Sequence, residues 1–140
     1  MNILVAADGS PYTLHMVDYL AAHPTWRDPG NTFTVMTVVP SVMGRAAAMF
    51  DKTTLDEYYH DEAETVVKPL REAFAARGLK ARYQSLVGQP AEEITRFAAQ
   101  GSFDLIVMGS HGHSAFGNMV LGSVASKVLA QCKVPVLLVR

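Results

Sequence analysis

Four glycine and serine positions in the last third of the chain have a spacing that could bind phosphate. Two residues separate Gly109 from Gly112, and nine more lead to Gly122 and Ser123. Glycines let backbone N–H groups approach an anion, because no β-carbon stands in the way. We place Gly122 and Ser123 in the first turn of a helix predicted over about 119–131, whose free N–H groups and dipole favour phosphate. The segment therefore predicts anion binding by backbone groups and the Ser123 hydroxyl, without a catalytic side chain.

A second polar position, Asp8, follows the first apolar run of the chain, residues 3–7. In open α/β sheets, ligands bind outside the carboxyl ends of the strands, where the winding direction reverses. Asp8 and Gly109 would both reach that crevice if they end neighbouring central strands. Aspartate here could instead cap the helix that begins near Pro11. Its position at the crevice favours a role in ligand binding.

The elements that must position these residues follow from the alternation of apolar, β-branched runs with segments of helical period. This alternation predicts a parallel sheet covered on both faces, with strands over 3–7, 32–39, 81–87, 104–108 and 134–139. Pro69 should kink or interrupt the longest helical segment, and residues 40–54 show no clear period. Right-handed crossovers make the strand order 3-2-1-4-5 the economical one. We predict one doubly wound α/β domain over residues 1–140, with five parallel strands and helices on both faces.

Composition narrows the possible partners. The formal net charge is −1, so no basic footprint for nucleic acid or an anionic membrane stands out. No apolar run approaches the ~18 to 20 residues of a membrane span, and the short opening run lacks the basic region of a signal peptide. We expect a cytoplasmic protein, with neither nucleic acid nor a membrane as a partner.

The spacing of Gly109, Gly112, Gly122 and Ser123 resembles the nucleotide-binding motif of universal stress proteins. The resemblance covers the whole chain and includes the strand that ends in Asp8, the turn over 87–90 and the closing run 134–139. It implies an adenine nucleotide alpha hydrolase-like fold and a regulatory role in the stress response, with at most slow hydrolysis. It also implies ATP, ADP or AMP as the ligand, with Mg²⁺ or Mn²⁺ bridging the phosphates. The nine-residue insert carries no Lys or Arg, where the family often has a basic residue, and this departure raises the weight of ADP, AMP or a metal-bridged ATP.

The same resemblance implies a role for each residue of the site. Asp8 would bind the ribose, the residues before it the rest of the adenosine, and two valines the adenine. His111 and His113 would lie in the loop at the site, but two histidines without a third ligand make a poor zinc site. The implied nucleotide-binding residues are Ala6, Ala7, Asp8, Val38, Val87, Met108, Gly109, His111, Gly112, His113, Gly122, Ser123 and Val124.

Two other functions stay open. The chain could be a dimeric scaffold that does not bind nucleotide, or a weak ATPase or other nucleotide-using enzyme on the same fold. A phosphotransfer receiver is excluded, because the strands that would carry its aspartate end in Val87 and Met108. Strand five would lie at a sheet edge with apolar residues on both faces, which predicts a homodimer through residues 134–139. The downstream protein partner stays unknown.

Overall fold

The five strands form one parallel sheet, in a computed structural model that describes residues 1–113, 118 and 120–140. The sheet order is β3-β2-β1-β4-β5, which confirms the predicted order. In register, Val5 of β1 lies opposite Val35 of β2 and Val107 of β4. The strands are β1 (Asn2–Ala6), β2 (Thr32–Val39), β3 (Ala81–Val87), β4 (Leu105–Gly109) and β5 (Val136–Val139).

Helices cover both faces of the sheet, as the doubly wound arrangement requires. Alternate side chains of β1 point to opposite faces, so Ile3 and Val5 join one core cluster while Leu4 joins the other. The first cluster is completed by α1 and α3, and the second by α4 and α5. The helices are α1 (Pro11–Ala22), α2 (Arg45–Ala48), α3 (Lys52–Ala76), α4 (Pro90–Gln100) and α5 (Ser123–Gln131), with a short 3-10 turn at Pro24–Arg27.

Strands β1 and β4 lie within one residue of their predicted bounds, and two elements begin two or more residues later than predicted, for backbone reasons. The last helix begins at Ser123 rather than near 119, because Gly122 keeps an extended conformation (ψ 157°) as the N-cap. Strand β5 begins at Val136 rather than 134. Pro135 has no N–H to donate, although its carbonyl oxygen accepts a hydrogen bond from the Ile106 N–H at 2.8 Å. The later start of α5 places both Gly122 and the first free amides at the sheet edge.

Helix α3 is continuous from Lys52 to Ala76, so Pro69 does not interrupt it, which was one of the two effects that the sequence predicts. Pro69 lies on the exposed side of the helix, while Leu70 and Phe74 on the other side are buried against the sheet. That burial outweighs the local cost of a helical proline. The helix begins at Asp51, whose carboxylate accepts a hydrogen bond from the Thr54 N–H at 2.7 Å. This bond lowers the pKa of Asp51.

No helix in the described part of the chain is both long and apolar enough to cross a bilayer.

Candidate functional site

A cavity of about 460 Å³ opens at the carboxyl edge of the sheet. The ends of β1, β2 and β4 form its floor, α3 contributes one wall, and the starts of α4 and α5 contribute others. In the observed strand order the winding direction reverses between β1 and β4, which is where open α/β sheets place their ligands. The cavity therefore lies where the sequence predicts a binding site.

All but one of the predicted site residues line this cavity. The exception is Val87, which is 43% exposed at the end of β3 and is not among the described lining residues. It pairs with Val39, which does line the cavity. The predicted residues that the fold brings together are Ala6, Ala7, Asp8, Val38, Met108, Gly109, His111, Gly112, His113, Gly122, Ser123 and Val124.

Asp8 organises the loop between β1 and α1. Its Oδ1 atom accepts hydrogen bonds from the Ser10 N–H at 2.9 Å and from the Thr13 hydroxyl at 3.1 Å. Ser10 is the N-cap residue of α1, but its side chain makes no capping bond to described residues. The carbonyl oxygen of Asp8 lies 2.6 Å from Nε2 of His113. Asp8 thus joins the loop between β1 and α1 to the glycine segment. The bonds from Ser10 and Thr13 both go to its Oδ1 atom and not to Oδ2.

The glycines of the motif bring backbone segments into close contact. A β-carbon on Gly112 would lie 2.5 Å from Oδ2 of Asp8, and one on Gly122 would lie 3.1 Å from Cα of His111. Neither Gly112 nor Gly122 has a positive φ. They are therefore needed because other atoms approach closely, and not because the backbone is left-handed.

The amide of Gly122 is already used within the protein. Its N–H donates a 2.7 Å hydrogen bond to the carbonyl oxygen of Ser110, and its own carbonyl oxygen accepts the Ser126 N–H at 3.0 Å. The expectation that Gly122 offers a free N–H to a phosphate was therefore wrong. Its hydrogen bond instead ties residues 110–112 to the start of α5.

Donors without an acceptor among the described residues begin one residue later, at the start of α5. The amides of Ser123, Val124 and Ala125 lie in the first turn, where an α-helix has no internal acceptors for them. No described side chain caps this helix end. Ser123 adds an exposed hydroxyl, and all three residues line the cavity. This set of donors, with the positive end of the helix dipole, fits a phosphate group.

The sequence analysis missed the wall formed by α3. Glu62, Thr65 and Val66 line the cavity, and their spacing places them on one face of the helix. Val66 approaches the first loop, because its Cγ2 atom would lie 3.1 Å from a β-carbon on Gly9. The only sequence signal was this i, i+3, i+4 spacing. It could not be used without knowing how residues 40–51 direct α3 across the sheet edge.

The two loop histidines have partners inside the protein. Nδ1 of His111 lies 2.9 Å from the Ser110 hydroxyl, and its ring packs against Tyr12 with 5.2 Å between the centroids. Among the residues that the structure describes, no three His, Cys, Asp or Glu side chains are grouped as metal ligands. The described part of the cavity therefore contains no preformed group of metal ligands.

Strand order and cavity together define the chain as a doubly wound α/β protein with a cavity at the switch point of its sheet. The model of the universal stress protein family matches residues 1–140. The chain belongs to this family, as its sequence motif predicts.

Individual relatives match the sequence over nearly the full length of the chain. Universal stress protein YxiE of Bacillus subtilis is 30% identical over 147 residues, covering 99% of this chain and 98% of the relative. Universal stress protein MJ0531 of Methanocaldococcus jannaschii is 28% identical, with 99% of this chain and 81% of the relative covered. Slr1230 of Synechocystis is 31% identical, and the chain spans 42% of its length.

Solved structures share the fold. The MJ0577 protein superposes with a TM-score of 0.81 at 24% identity, covering 99% of this chain and 94% of that protein. A universal stress protein in complex with cAMP gives 0.69 at 24% identity, with 100% and 97% covered. An Arabidopsis thaliana member of the family with AMP bound gives 0.69 at 12% identity, with 99% and 90% covered.

Proposed function

We propose that this chain is a regulatory stress-response protein that binds an adenine nucleotide in the cavity and hydrolyses it slowly at most. The observation that carries the proposal is the cradle at the start of α5. At the switch point of the sheet it combines free amides, a serine hydroxyl and two glycines, Gly112 and Gly122. A β-carbon at either glycine would come too close to neighbouring atoms. Related folds hold cAMP and AMP, which supports an adenine nucleotide as the ligand.

Each part of the cavity suits one part of the nucleotide. Ser123 and Val124 would donate to a phosphate, and Asp8 would accept a ribose hydroxyl through Oδ2. The apolar side chains at the ends of β2 and β4, with Val38 and Met108 among them, would pack against the adenine ring. Val87 would contact it only from the rim, since it is not among the described lining residues.

A divalent cation could accompany a polyphosphate ligand. Asp8 and Glu62 are the carboxylates that line the described part of the cavity. Mg²⁺ prefers oxygen ligands and commonly binds through one or two carboxylates and substrate phosphates. We propose that any Mg²⁺ or Mn²⁺ would be held mainly by the phosphates.

Assembly and location complete the proposal. Strand β5 lies at the edge of the sheet, and edge strands expose backbone groups that can pair with a second copy. We propose a homodimer through residues 134–139, in the cytoplasm.

A pair of serine variants tests the nucleotide site. Ser123→Ala should weaken AMP binding about tenfold or more, because it removes one hydrogen bond to a charged group. Ser126→Ala is the matched control, because this serine is one turn further along α5, donates to the Gly122 carbonyl oxygen and does not line the described cavity. It should keep the wild-type affinity. Calorimetry measures the AMP affinity of both variants. Equal affinities in two folded variants would contradict the placement of the phosphate at the start of α5.

A further inference from the structure

Resting on the proposed function, we infer that the cavity selects nucleotides with a single phosphate group, AMP above ADP and ATP, and that Glu62 contributes to this selection. The inference follows from what the cavity offers to a first phosphate and what it lacks for a second and a third. It names the ligand class of the site, which nucleotide binding alone leaves open.

The donors at the start of α5 are enough for one phosphate group. Three first-turn amides and the Ser123 hydroxyl are available there, and the neighbouring Gly122 amide is bonded to Ser110. A terminal phosphate has three strong acceptor oxygens. The first phosphate would therefore use up the free donors at the start of α5.

The described lining of the cavity offers no cationic side chain for further phosphates. None of the described residues that line the cavity is Lys or Arg. By sequence, residues 114–117 and 119 are uncharged as well. The histidines have partners already, since Nε2 of His113 lies 2.6 Å from the Asp8 carbonyl oxygen and Nδ1 of His111 lies 2.9 Å from the Ser110 hydroxyl. Polyphosphate sites usually depend on Lys, Arg or Mg²⁺ to neutralise charge.

The opposite wall is acidic. Glu62 lies one helical turn before Val66, and Val66 packs against Gly9, which follows Asp8. The carboxylates of Glu62 and Asp8 therefore line the same cavity. Every phosphoryl group added beyond the first would bring more negative charge near these oxygens.

Solvent limits the part that Glu62 plays. Its side chain is exposed, so water and salt screen its repulsion of a phosphate to a few-fold effect on affinity. The larger part of the selection comes from the missing cation. A charge change at Glu62 should therefore shift the preference without reversing it.

Calorimetry with AMP, ADP and ATP, in magnesium-free buffer at one ionic strength, tests the inference on wild type, Glu62→Lys and Glu72→Lys. Glu72 lies exposed on the same helix outside the described cavity lining, so its variant is the charge-matched control. AMP should bind the wild type about tenfold more tightly than ATP. Glu62→Lys should reduce this ratio about threefold by improving ATP binding, and Glu72→Lys should leave it unchanged.

The outcomes separate the two proposals. ATP binding as tightly as AMP would overturn the selection while leaving nucleotide binding in place. An unchanged ratio in Glu62→Lys, or an equal change in Glu72→Lys, would overturn the part assigned to Glu62. Folded wild-type protein that binds none of the three nucleotides would instead contradict the proposed function itself.

Discussion

Asp8 fixes the turn after β1 through one carboxylate oxygen, and we propose that the other oxygen binds the ligand. Its Oδ1 atom is occupied by the Ser10 amide and the Thr13 hydroxyl, which fix the turn after β1. Its Oδ2 atom lies next to Gly112, where any β-carbon would come within 2.5 Å. The two oxygens face different partners, so replacing the carboxylate by an amide should separate its structural role from its binding role.

Asp8→Asn should weaken adenosine and AMP binding about tenfold, because an amide nitrogen at the Oδ2 position cannot accept a ribose hydroxyl. The turn survives if the amide oxygen replaces Oδ1, so the free energy of unfolding should change by no more than about 1 kcal/mol. Asp28→Asn is the control, because Asp28 accepts the Gly30 N–H in a similar turn at 2.7 Å, away from the cavity. Calorimetry and urea unfolding measure both. Wild-type affinity for AMP in Asp8→Asn would contradict a role of Asp8 in ligand binding and leave only its role in the turn.

At the residue scale, sequence analysis located the strand ends better than the helix wall. Ala6, Asp8 and Met108 could be placed because parallel strands end at one edge, and that edge follows from the order of the apolar runs. Glu62 and Thr65 could not, because the path of residues 40–51 decides which face of α3 meets the cavity. The occupied amide of Gly122 was equally hidden, since hydrogen-bond partners across a loop leave no periodic pattern.

At the element scale, β5 has two unequal backbone sides. The Ile106 N–H donates to the Pro135 carbonyl oxygen and the Ser110 N–H donates to that of Val139, each at 2.8 Å. Backbone groups alternate along a strand, so Leu137 also faces β4, while Val136 and Leu138 direct their backbone groups outward. A second copy pairing with this edge would bond to the outward residues. The apolar pattern of 134–139 indicates an edge strand but not which residues face outward.

Leu138→Pro should weaken the proposed dimer about tenfold or more, because it removes an outward donor from the pairing edge. Leu137→Pro provides the contrast. It removes a donor towards β4 and should lower the free energy of unfolding by about 1–3 kcal/mol, whatever the state of assembly. Analytical ultracentrifugation and urea unfolding distinguish the two effects. Wild-type protein that stays monomeric at every micromolar concentration would exclude the β5 dimer.

At the scale of the whole molecule, the cavity joins segments that are far apart in the chain. Asp8, Val38, Glu62, Met108 and Ser123 reach one edge because every strand of the sheet is parallel and its winding reverses beside β1. The strand order was predictable from right-handed crossovers and the alternation of elements. The volume and the acidic wall were not, because they depend on how α3 and α5 pack on opposite faces.

The central claim is that an adenine nucleotide binds in this cavity with its phosphate at the start of α5. Titrating ¹⁵N-labelled protein with AMP, while recording amide chemical shifts by NMR, tests it most directly. The amides of Ser123, Val124 and Ala125 should shift saturably, together with those of Ala7 and Asp8. Thr53, Asp56 and His60 are exposed on α3 and lie outside the described lining of the cavity. Their amide chemical shifts should stay unchanged. A folded protein whose first-turn amides in α5 do not respond to saturating AMP would contradict the claim.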